Sequence, residues 1–538
     1  LKSEDAVAEG ETPASRDHTG DVLLTSLEPN TRYFYGIEID GRLADIRMNL
    51  NDRWPSFRTL PDKETFRDPR VNPDGKFNVV FAIGHCADQG SARGEEYPDP
   101  PAYHTIFREH RDEIQFMLIN GDIIYEEKRD GTLGGIRENY KTYWQRGRGL
   151  SRLMRNVPML FTFDDHDIGN DIHGSGAPGM GKGAHLYRDP ALRVYREYCG
   201  WANYPNPAYA PLRFGKASFS EKRDILVDPD ADFSSLDPAT VSTIHLGPSC
   251  RGGPATASPN AGVYELVEVL DEHRLRIAPP VSSVEDEVEY SIGTHHWYDW
   301  KVGNCHFFAL DTRGERSKPG NGPDHFILGR QQTEWLLSGV RRTECDFVFI
   351  VSPDPWMVHH TALHMLALHS PELLDDPPEK YRRPKGDGFS SFLHQREKLL
   401  DALDAVGKPI IIITGDVHNA MSLRVTDNIW EILAGPLNSA RHPIGTCGGM
   451  PTGGKWNSLG RDVLVRWAAP SPNEVPYWQN HNAFYCIVQV NNILGCPRRH
   501  EEGYQWIAYD APQAVIRFHD AYTGKLVYAE SISLAEVK

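Results

Sequence analysis

Pro409-Ile410-Ile411-Ile412-Ile413-Thr414-Gly415-Asp416-Val417-His418 decides how this chain is read. An unbroken apolar run bounded by Gly407 and Gly415 is a strand buried on both faces. It ends in an Asp and a His two positions apart, which in extended chain point the same way. The pattern recurs three times. Phe77–Gly84 runs into His85-Cys86-Ala87-Asp88, and Gln115–Asn120 into Gly121-Asp122 and then Tyr125. Pro158–Phe163 runs into Asp164-Asp165-His166-Asp167 and then Asn170. Gathering carboxylates, imidazoles, a thiol and a phenol at strand tips costs hydration and sets like charges together. Multivalent cations are the simplest compensation.

The bulk numbers fit that reading. At 538 residues, one large α/β domain with accessories is expected. Apolar residues make up 40% and charged residues 24%, ordinary for a globular chain. No apolar run approaches the roughly 20 residues of a membrane span. A formal net charge of −17 argues against a nucleic-acid-binding surface but not against an enzyme for anions, since bound cations invert the local sign. The eight cysteines are scattered without a CxxC pair, which argues against a zinc ribbon or a small disulfide-stapled scaffold.

Strands alternate with helices over most of the chain. Ala102–Arg111, Asn139–Arg155 (broken by Gly147 and Gly149), Gln331–Arg342 and Ser391–Val406 read as helices, which implies a mostly parallel sheet with helices outside. In such folds chemistry collects at the carboxyl ends of strands. The expected organisation is a partial N-terminal fibronectin-like β-sandwich and linker over 1–75 and a first catalytic part over 76–214. A β-rich insertion follows over 215–300, then a second catalytic part over 301–482 and a closing β segment over 483–538. In the insertion, Gly262–Leu270 and Arg274–Ala278 read as a hairpin.

Each cluster also has a plain reading. Asp416 and His418 alone could be a turn carboxylate and a solvated imidazole, Tyr125 a core aromatic, Asn170 a turn residue. A lone Cys86 is most simply a packing thiol. At a strand exit beside His85 and Asp88 it becomes a candidate ligand for a soft or highly charged metal.

Taken in order, these residues resemble the PhoD-like (alkaline phosphatase D) family of metallophosphoesterases. The landmarks are Gly84–Cys86, Gly121-Asp122 with Tyr125, Asp164-Asp165-His166 with Asn170, and Leu310-Asp311-Thr312-Arg313. Leu328-Gly329, Gln331-Gln332 with Trp335-Leu336, Asp387-Gly388-Phe389 and Gly415-Asp416-Val417-His418 complete the set over roughly residues 76–440. Leu27-Glu28-Pro29-Asn30-Thr31-Arg32-Tyr33 resembles the tail of the sandwich domain that precedes the catalytic domain in this family.

The resemblance implies a four-layer α/β (α+β) fold, two β-sheets face to face with helices outside. It implies a multinuclear centre of Fe3+ with Ca2+ or another divalent cation such as Mn2+ or Zn2+. By motif the ligands are Cys86, Asp122, Tyr125, Asn170, Asp416 and His418. Asp165 and His166 are ligands or neighbours of the ligands next to the phosphate. In a hydrolytic mechanism His166 is the candidate for protonating the leaving oxygen or steadying the phosphoryl group, and Arg146, Arg313 or Arg441 for an oxygen clamp, each arginine having a surface or structural role as its plain alternative. His85, Asp88, His359, His360 and Asp387 are further candidates. The implied activity is hydrolysis of a small phosphate mono- or diester by an activated hydroxide attacking phosphorus in line. The alternatives are a phospholipase-D-like diesterase acting on lipid head groups and a non-catalytic phosphate or glycan binder. The chain carries no signal peptide, and a secreted or periplasmic location follows from the resemblance alone. Two features depart from the family pattern. His85 stands where a small residue such as serine is expected, and Ser352-Pro353-Asp354-Pro355-Trp356 is unusually acidic.

Overall fold

The apolar runs become strands whose two faces serve two different cores. The computed structural model describes residues 8–537 apart from 49, 52, 89–98, 126–131, 170–184, 200–212, 240, 248–257, 295, 318, 360, 362–369, 374–375, 377, 383–385, 440–449, 470–482, 495–497 and 501–502. Val79–Gly84, Phe116–Asn120 and Met159–Thr162 lie parallel in that order. Phe484–Ile493, Ala508–Asp520 and Leu526–Ser533 add antiparallel strands on the other side, completing a six-stranded sheet. In the eight-stranded sheet Cys305–Ala309, Phe347–Ser352, Ile410–Thr414 and Ile429–Ala434 are parallel. Tyr298–Val302 flanks one side antiparallel, and Ala420–Arg424, Arg461–Ala468 and Gly454–Ser458 extend the other.

The expected mostly parallel arrangement therefore holds for one side of the six-stranded sheet and for the middle of the eight-stranded one, and both sheets are mixed. Close-spaced strands such as Gly454–Ser458 and Arg461–Ala468 have no room for a crossover helix and must pair antiparallel.

Side-chain alternation divides each run. Phe116, Leu118, Ile411 and Ile413 enter a core shared by the two sheets. Phe81 stacks on Phe116 at 5.0 Å there and meets the edges of Phe307 and Phe349 at 5.2 and 5.4 Å. Each such pair contributes about 1 kcal/mol beyond burial. Met117 and Ile119 face the opposite way, against Tyr103 and Ile106 of the helix Pro101–His110 and Leu150 and Leu153 of Arg148–Met154. Ile410 and Ile412 meet Leu336, Val340, Leu399 and Leu403 of the helices Arg330–Arg342 and Leu393–Asp404. Runs apolar at every position are what burial on both faces requires.

The strands Arg213–Phe219, Ile225–Val227, Val241–Leu246, Gly262–Asp271, Arg274–Ala278 and Glu285–Thr294 close into a small barrel with its own core. Near the N-terminus, Arg32–Phe34 pairs with Ser56–Arg58 and Ile37–Ile39 with Arg42–Ala44. The helix Leu133–Arg146 gives way at Gly147 to the next, as the glycine there predicts. Among the described residues no helix is long and apolar enough to cross a membrane.

One side chain joins the two sheets at their carboxyl ends. Asn120 Nδ2 donates to the carbonyls of Ser352 (3.0 Å) and Ile413 (3.3 Å), while Oδ1 accepts from Thr162 Oγ1 at 2.9 Å. The polar strand tips are thereby brought face to face.

Candidate metal centre

Beyond the strands, three tips turn through the same uncommon conformation. Cys86, Asp122 and Asp416 have φ of 51°, 55° and 60°, left-handed values that non-glycine residues rarely take. Each costs of order 1 kcal/mol, which is tolerated where surrounding contacts fix the backbone. Those contacts are present. Asp167 accepts from the backbone N–H groups of Asp122 (2.7 Å), Ile123 (3.1 Å), Ile124 (3.3 Å) and Asp164 (2.9 Å), clamping one loop onto the next. The N–H of Ala87 donates to the carbonyl of Asp122 at 2.9 Å.

Gly121 is required by both conformation and space. Its φ is 81°, and a Cβ there would lie 2.6 Å from the Cβ of Asp164. Gly121→Ala is expected to destabilise the protein by roughly 2–4 kcal/mol, the left-handed penalty plus overpacking. A chemical-denaturation midpoint equal to that of the unsubstituted protein would refute this.

The side chains converge. The Cys86 thiol donates to Asp122 Oδ2 at 3.2 Å; Tyr125 Oη is 3.5 Å from the same oxygen and 3.1 Å from His418 Nε2. Asp122 Oδ1 accepts the N–H of His166 at 3.2 Å, and the His166 ring stacks on Tyr125 with centroids 3.9 Å apart. Three groups have donor atoms mutually within 4.8 Å: Cys86, Asp122 and His418; Asp122, Asp165 and His166; Asp164, Asp165 and Asp416. Asp122 is common to the first two and Asp165 to the last two, so adjacent ions would share a carboxylate. Metal–ligand bonds of about 2.0–2.3 Å place donor pairs at such separations around one ion.

The third group already has a cation. Arg313 is wholly buried and ion-paired to Asp164, to Asp387 at 2.5 Å and to Asp354 at 3.0 Å. Its Nη2 also lies 4.0 Å from Asp165 and from Asp416. Arg316 pairs with Asp354 and lies 3.4 Å from Asp387. The loop carrying both arginines is held by Gln332, which accepts from the N–H of Asp311 and donates to its carbonyl and to Glu315. Arg313 is thus spent on carboxylates, as the structural alternative to an oxygen clamp requires.

Two guanidinium groups do not balance the buried carboxylates of Asp122, Asp164, Asp165, Asp167, Asp354, Asp387 and Asp416. Burial pushes Asp122 far above the carboxylate range and Asp167 to about 7, the latter against its backbone donors. Burial and the nearby Asp122 and Asp416 push the Cys86 thiol well up, and burial with Cys86 and Asp122 does the same to Tyr125. Among the described residues no group hydrogen-bonds to the buried Asp164 Oδ2. Excess buried negative charge, an orphaned carboxylate oxygen and mixed S, N and O donors all fit bound metal ions.

A pH prediction follows for the metal-depleted protein. Its folded state keeps protons on carboxyls such as Asp167, which the unfolded chain releases near its usual 3.8. The stability contributed by these protons is full near pH 4 and is lost as the pH rises through about 7. The denaturation midpoint of chelator-treated protein should be higher at about pH 5.5 than at about pH 8. An unchanged or reversed order would contradict it.

The other expected residues are placed as follows. His85 contacts Cys86 Sγ and Gly435, and burial lowers it to about 3, so its ring is neutral. Asp88 accepts from Asn438 through its carbonyl. His359 lies against Trp456 and Ser458, and Asp387 pairs with the arginines. None of these four belongs to the three groups found among the described residues. Asn170, His360 and Arg441 lie outside the described residues, as does the side chain of Arg146.

Several contributors had no sequence signal. Ser439 Oγ lies 2.7 Å from Tyr125 Oη and 3.0 Å from the carbonyl of Cys86. Buried Glu431 accepts the N–H groups of Trp356 (2.8 Å) and Met357 (2.9 Å), fixing the turn after Asp354. The acidic Ser352–Trp356 segment was noticeable, and its Asp354 is the carboxylate shared by both arginines.

Residues 280–458 match the family model described as PhoD-like phosphatase. No curated protein matches the sequence. A solved structure of PhoD superposes with a TM-score of 0.50 at 15% identity, covering 97% of this chain and 82% of that one. The purple acid phosphatase PPD1 from yellow lupin (Lupinus luteus) seeds gives 0.43 at 12% identity, covering 96% and 62%. A dimetal phosphatase from Danio rerio gives 0.38 at 10% identity, covering 85% and 99%.

Proposed function

We propose that this chain, a PhoD-like protein by its motifs and by the family match over residues 280–458, is a metal-dependent phosphoesterase that hydrolyses small phosphate mono- or diesters. The observation that carries the reading is the sharing of Asp122 between a Cys86/His418 group and an Asp165/His166 group, with Tyr125 alongside. Cys86, Tyr125 and His418 suit ferric iron; Asp122, Asp165 and Asp416 oxygens suit calcium or another hard divalent ion. Bound there, such ions polarise phosphoryl oxygens and lower the pKa of water toward 7.

The chain's own groups supply the rest. His166 and Tyr125 are the partly exposed members of the cluster, while Cys86, Asp122, Asp165, Asp416 and His418 are buried. An ester therefore approaches across the stacked Tyr125–His166 pair. That places the His166 imidazole to hand a proton to the departing alkoxide. Arg313 and Arg316 hold Asp164, Asp354 and Asp387 in place without reaching substrate. The three cores on either side of two sheets support the four-layer metallophosphoesterase arrangement as part of the same reading.

The test is turnover of p-nitrophenyl phosphate and bis(p-nitrophenyl) phosphate beside phosphatidylcholine vesicles. Hydrolysis of a small ester should vanish on chelation and return with added Fe3+ and Ca2+. Release of choline alone would move the reading to a lipid head-group diesterase. Full turnover in metal-stripped protein would end it.

A further inference from the structure

His85 is wholly buried immediately beside Cys86, at the end of the strand Val79–Gly84. Its carbonyl accepts the N–H of Leu437 at 2.9 Å, and the backbone pairs in parallel with Pro436. Both ring nitrogens are engaged. The N–H of Gly435 donates to Nε2 at 3.1 Å, and Nδ1 lies 3.0 Å from Cys86 Sγ.

These contacts decide the tautomer. A backbone N–H can only donate, so Nε2 is the acceptor and the ring proton is on Nδ1, aimed at sulfur. Gly435 is itself closely packed. Its φ is 92°, and a Cβ there would lie 2.8 Å from that of Phe484 and 3.0 Å from that of Ala420. The residue whose N–H orients the ring thus sits in a tight, glycine-only position.

We propose that His85 is a positioning residue of the metal centre, whose Nδ1–H donates to Cys86 Sγ and draws charge from the sulfur when that sulfur holds a metal ion. The inference rests on the metal-centre reading above. With Nε2 taken by Gly435, His85 is a donor to the ligand and not a ligand itself. A hydrogen bond to a coordinated thiolate stabilises the sulfur lone pairs and weakens their donation to the metal. Sulfur-to-metal charge transfer then needs more energy, and a bound redox-active ion is easier to reduce.

The experiment uses the full chain reconstituted with Co2+, with the near-ultraviolet sulfur-to-cobalt absorption as readout. Cys86→Ser identifies the band by abolishing it. His85→Asn keeps an N–H near the Nδ1 position but loses the acceptor for Gly435. His85→Gln reaches the Gly435 position without a donor to sulfur, and His85→Phe removes both. The band should move to longer wavelength in the Gln and Phe variants and stay in place in the Asn variant. A purely structural role, holding the Gly435 loop, predicts the opposite order for Asn and Gln. A Cys86-dependent band that is unmoved in the Gln and Phe variants, with native circular dichroism, overturns the inference and leaves the metal centre standing. A protein that takes up no cobalt and shows no Cys86-dependent band removes both.

Discussion

Asp122→Asn is expected to lower phosphate-ester turnover at least about a thousandfold. Removing a single preorganised electrostatic contact from an active site costs about 10²–10³ in rate, and Asp122 is worth more than one. One of its oxygens faces Cys86 and Tyr125, the other accepts from His166, and it belongs to two of the three ligand groups. Asparagine keeps the shape but removes the negative charge that two neighbouring cations would share. The consequence for folding has the opposite sign. In the metal-depleted protein burial disfavours ionised Asp122, so the neutral amide should leave the denaturation midpoint unchanged or raise it. Metal content, turnover and stability measured together check all three parts. Turnover within tenfold of the unsubstituted protein would show that the chemistry lies elsewhere.

What the sequence showed of this site depended on how local each contribution is. Cys86, Asp122, Tyr125 and His418 each follow an apolar strand within a few residues, so strand and tip are read together. Ser439 acts on Tyr125 across 314 residues, and Glu431 on Trp356 across 75, contacts that no local pattern encodes. The fold divides similarly. Ile410–Thr414 is apolar at every position because both of its faces are buried, and that is visible in a single run. The insertion of Ile429–Ala434 between Ile410–Thr414 and Ala420–Arg424 is not visible, because strand order is decided by pairing and not by composition. Arg313 shows the limit most clearly. Its charge was evident, but its complete burial was not, and burial turns an apparent substrate clamp into an internal counter-ion.

Arg313→Met is the substitution expected to cost the most stability. Methionine matches much of the aliphatic volume, so the change isolates the loss of the guanidinium. Arg313 is paired to Asp164, Asp354 and Asp387, and none of these has solvent to fall back on. Removing one partner of a buried pair costs about 3–5 kcal/mol, because the remaining charge is left uncompensated. Arg316 still reaches Asp354 and Asp387, but Asp164 has no ion-pair contact to it among the described residues. The uncompensated charge therefore falls mainly on Asp164, whose Oδ2 already lacks a hydrogen-bond partner among the described residues. This makes the prediction specific. Adding Asp164→Asn to Arg313→Met should recover part of the loss, whereas adding Asp354→Asn should recover less, since Arg316 still serves that carboxylate. Arg313→Lys should fall between the parent and Arg313→Met, because one ammonium keeps the charge but cannot span three carboxylates. Denaturant midpoints of the five proteins at one pH, with chelator present, separate these cases. Arg313→Met within about 1 kcal/mol of the parent would mean that the buried charges are balanced by something other than this guanidinium.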